Sequence, residues 1–146
     1  MRSTAFVATL TFGLALIPGL SAINTSYDTS YDDGSRSLAT VACSDGPNGL
    51  ISRGYTTFGS LPRFPHIGGA PAVTGWNSAG CGTCWTLSYT NATNVTKNVT
   101  ILAIDVATPD FNIALSAMNE LTAGQASFLG RVPVTAVQVN ASACGL

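Results

Sequence analysis

Val99-Thr-Ile-Leu-Ala-Ile-Asp-Val-Ala-Thr-Pro-Asp-Phe-Asn-Ile-Ala-Leu-Ser-Ala-Met118 is the stretch on which the fold turns. It begins as an apolar, β-branched run, the pattern of a strand buried on both faces. Asp105 closes that run. Thr108-Pro109-Asp110 then breaks the strand, and Asp110 reads as the N-cap of a helix, its carboxylate accepting from unpaired amide N–H groups. Ile113, Ala114, Ala117, Met118 and Leu121 repeat at helical spacing and give that helix one apolar face. Gly124 is the expected stop. The pattern predicts that Asp105, Asp110 and Asn112 gather at one rim of the core.

On either side of this stretch the chain reads mainly as strand and turn. Residues 85–90 and 97–105 alternate as a strand pair around a polar turn. Residues 131–139 form a final strand with Val132, Val134 and Ala136 on one face, and Pro133 places part of it at an edge or bulge. Upstream, residues 38–43 and 50–58 read as short strands. Residues 59–76, rich in Pro and Gly, read as one long loop. In Ser26-Tyr-Asp-Thr-Ser-Tyr-Asp32 an extended strand would put Tyr27 and Tyr31 on one face, either as an edge strand or as an aromatic platform for a sugar. About six short strands with one helix, not alternating with helices in turn, point to a small closed or nearly closed β-barrel.

The 146 residues suffice for one domain with a real core. Only 9% are charged and the formal net charge is −1, so nothing here neutralises a row of phosphates or an anionic lipid surface. Residues 1–22 read as a secretory signal, with Arg2 before a short apolar run and Leu20-Ser21-Ala22 as a cleavage site. That run is shorter than the roughly 20 apolar residues of a membrane span. Residues 23–146 are then the secreted domain. Cys43, Cys81, Cys84 and Cys144 form an even set and imply two disulfides, with three pairings open. A zinc site wants four clustered ligands, and His66 is the single histidine, isolated among prolines, so neither metal nor cofactor is expected. Asn24, Asn91, Asn94, Asn98 and Asn140 begin five glycosylation sequons.

There is no phosphate loop, metal triad or nucleophile elbow. The suggestive group is Asp105. Hydrolysis of a glycosidic bond usually needs two carboxylates at a set separation. Asp45 and Asp110 are the candidates to face Asp105, and each also has a local reason to exist. A lone carboxylate still holds sugar hydroxyls through charge-assisted hydrogen bonds. The favoured reading is carbohydrate binding by Asp105, with Asn112, Asp45 and Tyr31 adding hydrogen bonds and Trp76 stacking.

Ala42-Cys-Ser-Asp45-Gly, Gly75-Trp-Asn, Cys81-Gly-Thr-Cys84-Trp, Leu102-Ala-Ile-Asp105, Phe111-Asn-Ile-Ala-Leu with Ala117-Met118, Leu121-Thr with Gly124-Gln-Ala, and the Cys144-Gly terminus together resemble the cerato-platanin family of small secreted fungal proteins. The resemblance runs from about Tyr27 to the C-terminus. It implies a six-stranded double-psi β-barrel with disulfides Cys43–Cys81 and Cys84–Cys144, and it places the family's key carboxylate at Asp105. It also implies binding of chitin or β-glucan oligosaccharides, expansin-like loosening of cell walls without hydrolysis, and elicitation of plant defence through a plant surface receptor. A monomer with self-assembly at interfaces is implied as well. The alternatives are a weak glycoside hydrolase or transglycosylase, and a surface-active structural wall protein. The dense sequons at 91–100 depart from the family pattern.

Overall fold

A computed structural model describes residues 23–146. Residues 1–22, expected to be a signal peptide, lie outside the described residues. Six strands, β1 (Ile23–Tyr27), β2 (Ile67–Ala70), β3 (Cys84–Thr90), β4 (Thr96–Val106), β5 (Phe111–Ile113) and β6 (Arg131–Val139), close into a barrel in the order β1-β5-β2-β4-β3-β6. β1 runs parallel to β5 and β2 parallel to β4, while the other neighbours are antiparallel. The mainly-β barrel with few short helices is as expected from the sequence.

β4 is the central element. Ile101, Leu102, Ala103 and Ile104 are all buried, so the apolar run does lie between two covered faces. β3 and β4 form the expected strand pair, in register from Cys84↔Leu102 to Thr90↔Thr96. In β6, Val132 and Val134 are buried and their neighbours exposed. Pro133 sits opposite Asn24 of β1, past the end of the β3–β6 ladder, which runs only from Ser88↔Thr135 to Cys84↔Val139. Its missing N–H therefore breaks no pairing in that ladder.

Two of the six strands are not those the pattern suggested. Residues 38–43 and 50–58 hold 3-10 turns at Leu38–Thr40, Ile51–Arg53 and Phe58–Ser60. The Ser37 hydroxyl accepts from the Ala39 N–H and the Ser60 hydroxyl accepts from the N–H groups of Thr56 and Thr57, so local side-chain bonds outcompete strand pairing. Leu38 and Phe58 are nonetheless fully buried. The long loop instead contains β2, whose four residues Ile-Gly-Gly-Ala are all buried. A Cβ on Gly68 would stand 2.4 Å from the Asn112 carbonyl oxygen and 2.7 Å from Ile113 Cα, so glycine lets β2 and β5 approach.

The helix also begins later than expected. Phe111–Ile113 pair as β5, and α1 spans Leu115–Thr122. Asp110 is not its cap. Asp32, more than eighty residues upstream, accepts from the N–H groups of Leu115 (2.8 Å) and Ser116 (3.0 Å). Ala117, Met118 and Leu121 face the core as predicted. Ala123 ends the helix in the left-handed region, and the Gly124 N–H returns to the Asn119 carbonyl. A short α2 (Ala126–Leu129) leads into β6.

The disulfides are Cys43–Cys81 and Cys84–Cys144, closing loops with sequence separations of 38 and 60. Loops of that size correspond to about 4 kcal/mol each in the chain-entropy account. We expect Gly68→Ala to destabilise the barrel by about 3 kcal/mol, because the added methyl meets backbone that cannot swing aside. A lowered urea midpoint with unchanged slope would register it.

Candidate functional site

Asp105 is the penultimate residue of β4 and is half-buried. Its Oδ1 accepts from the N–H of Ala42 (3.0 Å) and of Val106 (2.9 Å), and its Oδ2 accepts from the Tyr31 hydroxyl (3.2 Å). The Cys43 N–H bonds the Ile104 carbonyl, so residues 42–43 lie alongside β4 where it leaves the core. Asp105 thus ties the Tyr31 side chain and the Ala42 backbone to the end of β4.

Tyr31 is a partner of Asp105 and not a free platform. The Asp28 carboxylate accepts from the Ser30 N–H and turns the chain out of β1 into a 3-10 turn, Thr29–Asp32. That removes the shared face with Tyr27 expected from an extended strand. Tyr31 is only 6% exposed and packs against Phe58. Burial first, then the negative charge of Asp105 and the hydrogen bond to it, push the Tyr31 phenol well above its ordinary value.

Trp76 is 63% exposed, yet it is held in place. Its indole N–H donates to Asp45 Oδ1 at 2.7 Å. That bond is the main reason the Asp45 carboxyl stays below the usual carboxylate range. The two loops that carry the pair are zipped together: the Asn48 N–H donates to Asn77 Oδ1 and the Asn48 Nδ2 to the Asn77 carbonyl, both at 2.9 Å. Cys43–Cys81 ties the same loops from below. Asp45 lies three residues beyond Ala42, so its Cα is at most ~11 Å along the chain from the residue whose N–H holds Asp105. Sequence reasoning named both Trp76 and Asp45 but did not pair them.

Asn112 forms a second polar group. Across the ladders Asp105 pairs Gly69, Gly69 pairs Asn112, Asn112 pairs Ser26, and Ser26 pairs Arg131. Residues opposite one another project to one side of a sheet. The Ser26 hydroxyl accordingly donates to Asn112 Oδ1 at 3.1 Å. Asn112, Ser26, Thr108, Asp110 and Arg131 line a hollow of about 240 Å³. Asp110 accepts from the Asn24 N–H and makes an ion pair with Arg131. Ala107 fills the space that a Gly69 side chain would take, so the turn after β4 stands between Asp105 and this hollow. Ser26 and Arg131 were not singled out from the sequence, and only strand register brings them here.

Each carboxylate of the rim is therefore engaged by donors of its own: Asp105 by Tyr31 and two amides, Asp45 by Trp76, Asp110 by Asn24 and Arg131. His66 contacts Glu120 at 2.6 Å and ties the start of β2 to α1. Among the described residues no cluster suited to a metal ion is found, and no helix is long and apolar enough to cross a membrane. Of the sequons, the Asn24 side chain points at Asp110 and the Asn140 Oδ1 caps a 3-10 turn. Asn98 and Asn94 are exposed, and Asn91 lies in the β3–β4 turn.

The family model for cerato-platanin matches residues 23–146. The chain belongs to the cerato-platanin family. It is 48% identical over 129 residues to a heat-stable 19 kDa antigen of Coccidioides immitis, covering 88% of this chain and 85% of that one. The crystal structure of cerato-platanin 2 from M. perniciosa superposes with a TM-score of 0.81 at 48% identity, over 86% of this chain and all of that one. The solution structure of the fungal elicitor cerato-platanin matches with a TM-score of 0.72 at 36% identity, over 84% of this chain and 96% of that one. Membership places the chain among small secreted fungal proteins.

Two titrations check the site. In an alkaline absorbance titration of the four tyrosines, Tyr31→Phe should remove the component that ionises last. Its raised folded value means the stabilisation is complete below pH 10.0 and is lost as pH rises beyond that, so Tyr31→Phe should also flatten the loss of stability in alkali. On a Trp85→Phe background, Trp76 emission should change in acid with a midpoint below 3.8, the ordinary Asp value, and Asp45→Asn should abolish that change.

Proposed function

We propose that this cerato-platanin binds β-linked oligosaccharides of the chitin or β-glucan type at the barrel end carrying Asp105, and that it loosens wall polymers without hydrolysing them. The observation that carries the reading is the fixed, exposed indole of Trp76 beside Asp45. A flat apolar ring held rigid before binding matches the C–H face of a pyranose at little entropic cost, and the adjacent carboxylate accepts from ring hydroxyls. Asp105 extends the polar surface on one side, and Asn112 with Ser26 offers a second, smaller pocket across the turn.

The carboxylates support binding in preference to catalysis. Glycosidic hydrolysis asks for an acid poised to give a proton and a second group across the scissile bond. Asp45 is held below the usual carboxylate range by the Trp76 indole N–H, and Asp105 and Asp110 spend oxygens on donors of the fold itself. A second role, recognition of the exposed loops by a plant surface receptor, draws on the likeness to a fungal elicitor. It does not compete with sugar binding, since a wall-bound protein is displayed at the same surface.

Isothermal titration with chito- and cello-oligosaccharides, followed by NMR, tests the proposal. Trp76→Ala should weaken binding at least ~10-fold, about 1.4 kcal/mol, with an unchanged melting temperature. Asp105→Asn should weaken binding and also lower stability by about 1 kcal/mol, because the amide oxygen keeps the N–H groups of Ala42 and Val106 but as a neutral acceptor, and the NH₂ takes the place of the oxygen that accepts from the Tyr31 hydroxyl. Equal affinity in wild type and Trp76→Ala would overturn the reading. Reducing-end release lost in Asp105→Asn would replace it with hydrolysis.

A further inference from the structure

We propose that Asn91 carries an N-linked glycan whose first N-acetylglucosamine lies over an apolar hollow formed by Tyr89, Phe128 and Leu129. Phe128 is 86% exposed, the most exposed large apolar side chain among the described residues. It does not stand alone on the surface. With Tyr89, Leu129 and Ala123 it borders a hollow of about 330 Å³ that Thr122 and Gln125 also line, and whose far wall is Asn91-Ala92-Thr93. A single exposed ring is ordinary on a protein surface, but this one stands beside Tyr89 and Leu129 at the edge of a hollow. Here the sequon is itself part of the rim, so the cover is tethered to the site it fills.

The turn between β3 and β4 presents the correct atom. Asn91 Oδ1 accepts from the Thr93 N–H (2.9 Å), the Thr93 hydroxyl (2.8 Å) and the Val95 N–H (2.9 Å). Three donors on one atom fix which end of the amide is oxygen, since the opposite orientation would set NH₂ against two N–H groups. Nδ2 is thereby the outward end, and it donates to no group among the described residues. Asn24 is the contrasting sequon, with its Nδ2 directed at Asp110 inside a closed ladder.

In the transfer step Nδ2 attacks the anomeric carbon of an oligosaccharide joined to a lipid pyrophosphate. A C–N bond forms, the C–O bond to the pyrophosphate breaks, the amide loses one proton to a base, and the lipid pyrophosphate leaves. The sugar has a polar edge and an apolar C–H face. The apolar face would cover the Phe128 and Tyr89 rings, and the hydroxyls would remain in water, turning a patch prone to association into a solvated one.

The test uses the full chain secreted from a glycosylating fungal host. Peptide-N-glycosidase digestion in heavy-oxygen water, followed by peptide mass spectrometry, should place the label at residue 91. Trimming by an endoglycosidase that leaves one N-acetylglucosamine should keep NMR cross-peaks between that sugar and the Phe128 ring. It should also keep a melting temperature ~3 °C above that of the same sequence made unglycosylated in a bacterial host, where the Asn91 turn bonds are intact. Phe128→Ala should leave occupancy intact and erase both the cross-peaks and the difference in melting temperature. An unlabelled Asn91, or an occupied Asn91 with no contact to Phe128 and no melting difference, would overturn the proposal.

Discussion

β4 must be sheltered on both faces and along both edges at once, and the rest of the barrel is arranged to do this. Its run Ile101–Ile104 is wholly buried. β2 and β3 take its two edges, and α1 packs against it. Both disulfides stand beside the same run: Cys84 pairs Leu102, the Cys144 Sγ lies 3.4 Å from the Ile101 carbonyl, and the Cys43 N–H bonds the Ile104 carbonyl. The cross-links therefore hold the segments that would otherwise have to be ordered around β4 by a small core alone.

Function becomes available where that shelter ends. Asp105 follows directly on the buried run, at the point where the strand emerges and side chains again meet water. Its charge is useful twice over. It satisfies the amides of Ala42 and Val106 and the phenol of Tyr31, and it leaves a carboxylate edge at the rim. Under the proposed reading Asp105 is both clamp and contact, so a change there would alter stability and binding together, whereas Trp76, whose side chain bonds only Asp45, would separate the two.

The barrel also divides its polar rim. Gly69 lets Ala107 sit over β2, and the turn that carries Ala107 separates the Asp105–Tyr31 clamp from the Asn112–Ser26 hollow. In the proposed reading, a polysaccharide at this end would meet the Trp76 indole, the Asp105 carboxylate and the Asn112–Ser26 hollow as separate contacts. Separate contacts of that kind would grip a chain along its length rather than enclose one bond.

The sequence by itself determined what local pattern can encode. The alternating runs of β3, β4 and β6 were legible, as were the apolar face of α1, the absence of a charge pattern for nucleic acid, and the even cysteine set. The motifs also carried the family, and with it the disulfide pairing. Tertiary structure alone decided the short strands β2 and β5. Four and three residues are too few to show a period, and the glycines of β2 are selected by the Asn112 and Ile113 backbone that crosses them. It likewise decided that Asp32 caps α1 while Asp110 meets Arg131, that Tyr31 turns inward to Asp105, and that Trp76 is held by Asp45. Each of these pairs joins residues that are distant in the chain. A side chain's type tells what partner it needs, but only closure of the barrel brings a particular partner within hydrogen-bonding distance.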